Sequence, residues 1–189
     1  MPDALDLLKR RRSVKPMELA TPGPSAAELN TILTIASRVP DHGKLTPWRF
    51  IVFEGDARAA AGEKIAAAFQ AKEPSATADQ LDFERRRLSR APTVIAVVSR
   101  VSAHPKIPEW EQLMSAGAAA TNLLIAANAL GYAGSWLTEW YAYDDRALRA
   151  LGVEPNERIV GFIHIGTPTK PPDDRPRPPL ESIVTRYAS

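Results

Sequence analysis

The chain of 189 residues contains no cysteine. Disulfide staples, thiolate nucleophiles and cysteine-based metal sites are therefore excluded. Histidine is nearly as scarce: His42, His104 and His164 stand far apart in the sequence. That spacing is neither helical nor finger-like, so no metal site is expected. A surplus of one charge is missing too. With 24 basic against 22 acidic residues the formal net charge is +2. The short clusters Arg10–Arg12 and Arg85–Arg87 are not interleaved with aromatics, which argues against a nucleic-acid-binding module. There is no glycine-rich phosphate loop of Walker or Rossmann type and no G-x-S-x-G elbow. A bound phosphate would have to be met by Arg and Lys side chains. No apolar leader precedes the first charge, and a cytoplasmic protein is expected. The uncharged stretch Gln112–Thr138 is long enough for a bilayer. It is broken by Ser115, Gly117, Thr121, Asn122, Asn128, Gly131, Gly134 and Ser135, so a buried or interfacial helix is expected rather than a membrane span.

What is present is the patterning of one α+β domain over residues 1–189. Asp3–Arg12 reads as a short helix with cations in its last turn. Ser25 with Glu28 three residues on is a capping box, and the helix it opens carries Leu29, Ile32, Leu33 and Ile35 as a 3.6-residue stripe to about Arg38. Pro40–Pro47 is punctuated as a loop. Trp48–Glu54 reads as a strand, followed by charged helices over 57–72 and 77–90. Thr93–Ser99 and Arg158–Ile165 are continuous apolar runs, the mark of strands buried on both faces. Between them lie an Ala-rich helix over 109–130, stopped by Gly131, an extended segment over 132–137 and a short helix over 144–151. Residues 167–180 form a Pro-rich extended segment, which should continue neither strand nor helix.

Taken alone, the candidate phosphate-binding cations are Arg11, Arg12, Lys170, Arg175 and Arg177. Trp136, Trp140, Tyr141 and Tyr143 cluster after the long helix, as the lining of an aromatic pocket or as a lid or subunit contact. Trp48 is a candidate core anchor at the start of its strand. Glu111 suits the start of the long helix, where a carboxylate complements the dipole, and is not assigned a catalytic role.

Three segments together resemble the nitroreductase family of FMN-dependent NAD(P)H oxidoreductases. Arg11-Arg12-Ser13-Val14-Lys15 is similar to its opening R-x-S-x-(K/R) signature. Val39–Phe50 resembles the A-P-S-x-x-N-x-Q-P-W-x-F loop that leads into a strand. Ile163-His-Ile-Gly166-Thr-Pro168, followed by Arg175-Pro-Arg177, resembles the closing I-G-x-P…R-x-R segment. The order and separations are family-like and span nearly the whole chain, and Ile107–Gly117 resembles a compact subgroup of NAD(P)H nitroreductases. The resemblance implies a three-layer α+β fold with a central mixed or antiparallel sheet flanked by helices, assembled as an intertwined homodimer with FMN at the subunit interface.

Residue by residue, it implies that Arg11, Arg12 and Ser13 hold the FMN phosphate or ribityl chain and the flavin pyrimidine edge. Lys15 would stand near the flavin N1–C2 carbonyl, where a fixed cation stabilises the reduced flavin. Arg38, His42 and Lys44 would approach FMN on the loop from the other subunit. Trp136, Leu137 and Thr138 would lay their backbone along the flavin near N5, with Glu139 close by. Arg175 or Arg177 would complete the phosphate clamp, and Ala126–Gly131 would lie near the nicotinamide cofactor. No acid–base constellation is needed, because the flavin carries the chemistry. Hydride would come from NADH or NADPH and pass to a nitroaromatic, quinone or similar electron-poor acceptor in a ping-pong cycle. A low-turnover flavin carrier or sensor is the alternative. Asp41, His42, Lys44 and Thr46 replace the family's Ser, Ser, Asn and Gln, so the acceptor is set by a loop that departs from the pattern.

Overall fold

The protein was analysed as a computed structural model, which describes residues 3–187. Five strands form one sheet: β1 (Leu19–Ala20), β2 (Trp48–Glu54), β3 (Thr93–Ser99), β4 (Ala133–Leu137) and β5 (Arg158–Pro168). The order is β1-β5-β3-β2, with β4 also paired to β5, and every pairing between these strands is antiparallel. The helices are α1 (Ala4–Arg10), α2 (Ala26–Ala36), α3 (Asp56–Lys72), α4 (Ala78–Arg85), α5 (Glu109–Ala129) and α6 (Asp145–Ala150).

Every residue of β3 is buried, and its alternation divides the core. Val94, Ala96 and Val98 pack with α3, α6 and Phe162, whereas Ile95 and Val97 pack with α2, α5, Ile163 and Ile165. Successive side chains of a strand leave opposite faces, so an apolar run without alternation is what a sheet covered on both sides requires. The result is three layers, α3/α4/α6, sheet and α2/α5. Within the first layer α3 and α4 approach closely at Gly62, where an added Cβ would lie 1.9 Å from the Arg85 carbonyl oxygen.

Local signals set several boundaries. The Ser25 hydroxyl accepts from the Glu28 N–H and the Glu28 carboxylate accepts from the Ser25 N–H, closing the capping box of α2. Helix α5 ends in a Schellman turn: Gly131 has φ +92°, its N–H donates to the Asn128 carbonyl, and the Tyr132 N–H donates to the Ala127 carbonyl. No helix among the described residues is long and apolar enough to cross a membrane. The Ala-rich helix instead buries Ala116, Ala119, Ala120, Leu123, Leu124, Ala126 and Ala127.

Three expectations change. The second charged helix stops at Arg85, and residues 87–90 tighten into a 3-10 turn. Strand β5 runs past Ile165 to Pro168, against the expectation that the Pro-rich segment leaves the sheet. Pro168 is its last residue, opposite Leu19, a terminal position where a missing N–H is tolerated. Strand β1, two residues long, had no sequence signal of its own.

Candidate functional site

The segment after α1 is drawn against the sheet. Ser13 makes a parallel bridge to Gly134, and the Val14 N–H donates to the Gly134 carbonyl at 3.1 Å. Val14 is buried with Leu19, Ala91 and Ala133, which anchors the segment while Ser13 and Lys15 on either side stay exposed. The structure thus brings Arg11–Lys15 alongside the strand that leads to Trp136, Leu137 and Thr138.

Arg11, Arg12, Asn128, Gly131, Tyr132, Ala133, Pro168 and Pro172 help to line a cleft of about 370 Å³. The Arg11 Nη1 is buried and has no hydrogen-bond partner. Burial, then the charges of Arg12 and Arg177, push the Arg11 pKa below its ordinary value. Three guanidinium groups therefore crowd one place, a local excess of positive charge that costs free energy unless an anion answers it. Arg12 is partly neutralised, donating to the Asp173 carbonyl at 3.0 Å and lying 3.5 Å from Asp174. Of the three basic candidates in the Pro-rich segment, Arg177 is the one whose charge reaches Arg11; Lys170 is paired with Glu18 at 3.1 Å, and Arg175 is exposed, its own N–H turned to Asp174.

Arg38, His42 and Lys44 lie elsewhere. A second cleft of about 440 Å³ is lined by Pro40, His42, Trp110, Glu111, Met114, Ser115 and Ala118, and it shares no lining residue with the first. His42 Nδ1 meets Glu111 Oε2 at 2.7 Å. The sequence carries no sign of this pairing, because 69 residues separate the two and no local pattern links them. Arg38 is exposed, its carbonyl accepting from the Asn122 amide at 3.1 Å, and Lys44 is exposed with φ +56°.

The aromatic residues divide rather than gather around a pocket, and of the four only Trp140 and Tyr141 stack on each other, edge to face with ring centroids 6.0 Å apart. Trp136 donates its indole N–H to the Val160 carbonyl at 3.0 Å and covers Gly161. Tyr141 is fully buried in the core, Trp140 packs on Phe69 with ring centroids 5.6 Å apart, and Tyr143 is exposed. Trp48 anchors its strand as expected, donating to the Ser115 hydroxyl at 3.1 Å. Glu139 is engaged by Arg87 at 2.6 Å, by Arg90 and by the Tyr141 hydroxyl. Burial acts to raise its pKa, but the hydrogen bonds and charges of Arg90, Tyr141 and Arg87 outweigh that and hold the carboxyl below the ordinary range. It is a member of an ion web with Glu84, Arg87 and Arg90, and that web had no signal in the sequence.

A sheet of this order, covered on both faces and flanked by an arginine-lined cleft, is the frame of the nitroreductase family, and the chain belongs to that family: it matches the family model over residues 8–167. It is 38% identical over 168 residues to YdjA of Escherichia coli K12, named as a candidate NAD(P)H nitroreductase, with 88% of each chain covered. Among solved structures it superposes on a nitroreductase-like family protein from Bacillus cereus with a TM-score of 0.86 at 22% identity, covering 99% and 97% of the two chains. A candidate nitroreductase from Desulfovibrio desulfuricans, solved with FMN, gives 0.73 at 24% identity, covering 100% and 99%. The family and its relatives make the chain a flavin oxidoreductase.

Proposed function

We propose that the chain is an FMN-dependent oxidoreductase that works as a homodimer, taking hydride from NADH or NADPH and reducing an electron-poor acceptor. The observation that carries this reading is the buried, unpartnered Arg11 nitrogen crowded by Arg12 and Arg177. A phosphate answers that arrangement, since it offers acceptor oxygens and negative charge together. In this assignment Arg11, Arg12 and Arg177 hold the FMN phosphate, and Arg175 stays outside the clamp. Ser13, beside Gly134, meets the ribityl chain or pyrimidine edge. Lys15 sits on the pyrimidine side, and Trp136–Thr138 offer backbone to the flavin ring.

FMN, when bound, would accept hydride at N5 and hand it to a nitroaromatic or quinone in a ping-pong cycle. The chain's own contribution is positioning and charge. Dimerisation is supported by the separation of the two clefts: Arg38, His42 and Lys44 lie away from Arg11, so a flavin meeting both sets would draw them from two subunits.

The test is spectroscopic. Purified protein should carry or take up FMN, show the absorbance of oxidised flavin, and bleach anaerobically on addition of NADH or NADPH. Flavin that binds but is not bleached would mark a carrier or sensor instead, and protein that ignores added FMN would end the flavin reading. Lys15→Ala should lower the flavin reduction potential more than it lowers affinity, checked by equilibrium titration against a redox dye.

A further inference from the structure

The second cleft has the makings of an acceptor site with its own proton source. Its walls are apolar, from Pro40, Trp110, Met114 and Ala118, and Trp110 and Met114 are exposed by 67% and 50%. At about 440 Å³ it is of the size that holds one small ligand. Its polar groups are few. The Ser115 hydroxyl is already used, donating to the Pro40 carbonyl at 2.6 Å and accepting from the Trp48 indole. The His42–Glu111 pair remains. A carboxylate can only accept, so Nδ1 of His42 carries the proton in their 2.7 Å contact. Nε2 is left without a hydrogen-bond partner among the described residues.

The loop is built to present this ring. Asp41 Oδ2 accepts from the Thr46 N–H at 3.0 Å. Gly43, Lys44 and Thr46 have φ of +70°, +56° and +48°. A Cβ on Gly43 would lie 2.5 Å from Ile107 Cδ1, so the turn is pressed onto the segment that leads into α5. Two non-glycine residues at positive φ within one short turn are costly, and such strain collects where a side chain must be aimed.

We propose that His42, oriented by Glu111, is the proton donor to an aromatic acceptor such as a quinone bound in this cleft. The inference rests on the reading of the protein as an FMN reductase whose flavin is shared between subunits. In the oxidative half-reaction, the hydride that a reduced flavin would supply would form an O–H bond at one quinone oxygen. The displaced π-electron pair collects on the opposite oxygen, which takes the proton from Nε2 of the imidazolium. That N–H bond breaks with its pair left on Nε2, and a second O–H bond forms. Two electrons leave the flavin, and the quinone becomes a hydroquinone. The neutral ring keeps its Nδ1 proton on Glu111, so the same nitrogen, Nε2, is reprotonated from solvent. His42 is exposed, which leaves it open to that exchange. Glu111 is a positioning residue in this scheme, since it fixes which nitrogen gives up the proton.

The experiment uses the FMN-loaded protein, with reduction by NADPH and reoxidation by para-benzoquinone followed separately by stopped flow. Glu111→Gln and His42→Gln should slow reoxidation by about 10-fold and about 100-fold, respectively, and much more than they slow reduction. Wild-type reoxidation should be slower in D2O, and His42→Gln should lose that isotope effect. In ¹⁵N spectra of the protein without quinone, the cationic form of His42 carries the Nε2 proton that is donated, the neutral form left behind should be the Nδ1–H tautomer, and Glu111→Gln should scramble that tautomer. Variants that reoxidise at the wild-type rate overturn the proposal, as does an Nε2–H tautomer in the wild type. Those results leave the flavin reading standing. A protein that takes up no FMN overturns both.

Discussion

Arg87 and Arg90 on one face of the sheet, and Arg11 and Arg12 beside β4, are arginines of similar burial in opposite surroundings. The first pair is enclosed by acceptors: Arg87 makes two hydrogen bonds to Glu84 and one to Glu139, and Arg90 binds Glu139. In the second pair Arg12 has Asp173 and Asp174 beside it, but Arg11 faces Arg12 and Arg177 and keeps one buried nitrogen without a partner. Partnered buried charge holds a fold together. Unpartnered buried charge opposes folding, so its presence points to something the chain alone does not supply. The difference separates a cluster that stabilises the fold from one to which the proposed function gives the binding of phosphate.

Breaking the first cluster should have the largest effect. Arg87→Ala leaves the buried Glu84 carboxylate without a charged partner, only the Trp140 indole N–H still donating to it, and removes one partner of the half-buried Glu139; it should cost about 3–5 kcal/mol of stability in urea unfolding. A loss below about 1 kcal/mol would mean that the web contributes little.

Acid should act on the same region through His164, whose Nε2 lies 3.4 Å from the Arg87 carbonyl. Burial, then the Arg90 charge, lowers its pKa from 6.5 to about 4. The unfolded chain takes up the proton as pH falls below 6.5, while the folded chain refuses it until about 4. Stability is thus fully present above the upper value and declines through that window, by about 3 kcal/mol in total. Unfolding free energies measured across the window should show the slope, and His164→Gln should flatten it.

The second cluster should respond in the reverse sense. Arg11→Ala should leave the stability of the FMN-free protein within about 1 kcal/mol of wild type, or raise it. It should weaken FMN binding by about 1.5–3 kcal/mol. Fluorescence titration with FMN beside thermal melting decides this, and a variant that loses stability but keeps its affinity would merge the two clusters into one kind. A cap remote from both sets the scale: Ser25→Ala should cost about 1 kcal/mol by melting.

What could be read in the sequence was local in origin. The Ser25–Glu28 capping box, the stop at Gly131 and the doubly buried strands β3 and β5 follow from neighbouring residues and from the period of their side chains. The R-x-S-x-K segment was legible as a motif, and its cation companions Arg12 and Arg177 were recognised as candidates. Long-range pairs were not legible. His42 with Glu111, 69 residues apart, and Arg87 with Glu139, 52 apart, meet only because the sheet order brings distant loops together. Glu139 was placed by its neighbour Thr138 alone, and nothing in the sequence showed that its carboxylate is taken by arginines from the turn after α4. The aromatic run 136–143 likewise looked like one group, but the end of β4 and a 3-10 turn send its members to different places. Pro168 was read through its missing N–H, a fault only where a ladder partner needs one.

From Thr169 to Tyr187 no residue is buried, so the strap that carries Arg177 is open to digestion, as exposed chain generally is. Its cations have an unusual sequence context: Lys170, Arg175 and Arg177 are each followed by proline. Proteases of tryptic specificity cleave poorly before proline, so the residues that give the strap its extended course also deny such enzymes their cut sites. Arg186, followed by Tyr187, lacks that protection. Trimming there would leave Arg177, whose charge reaches Arg11, on the protein.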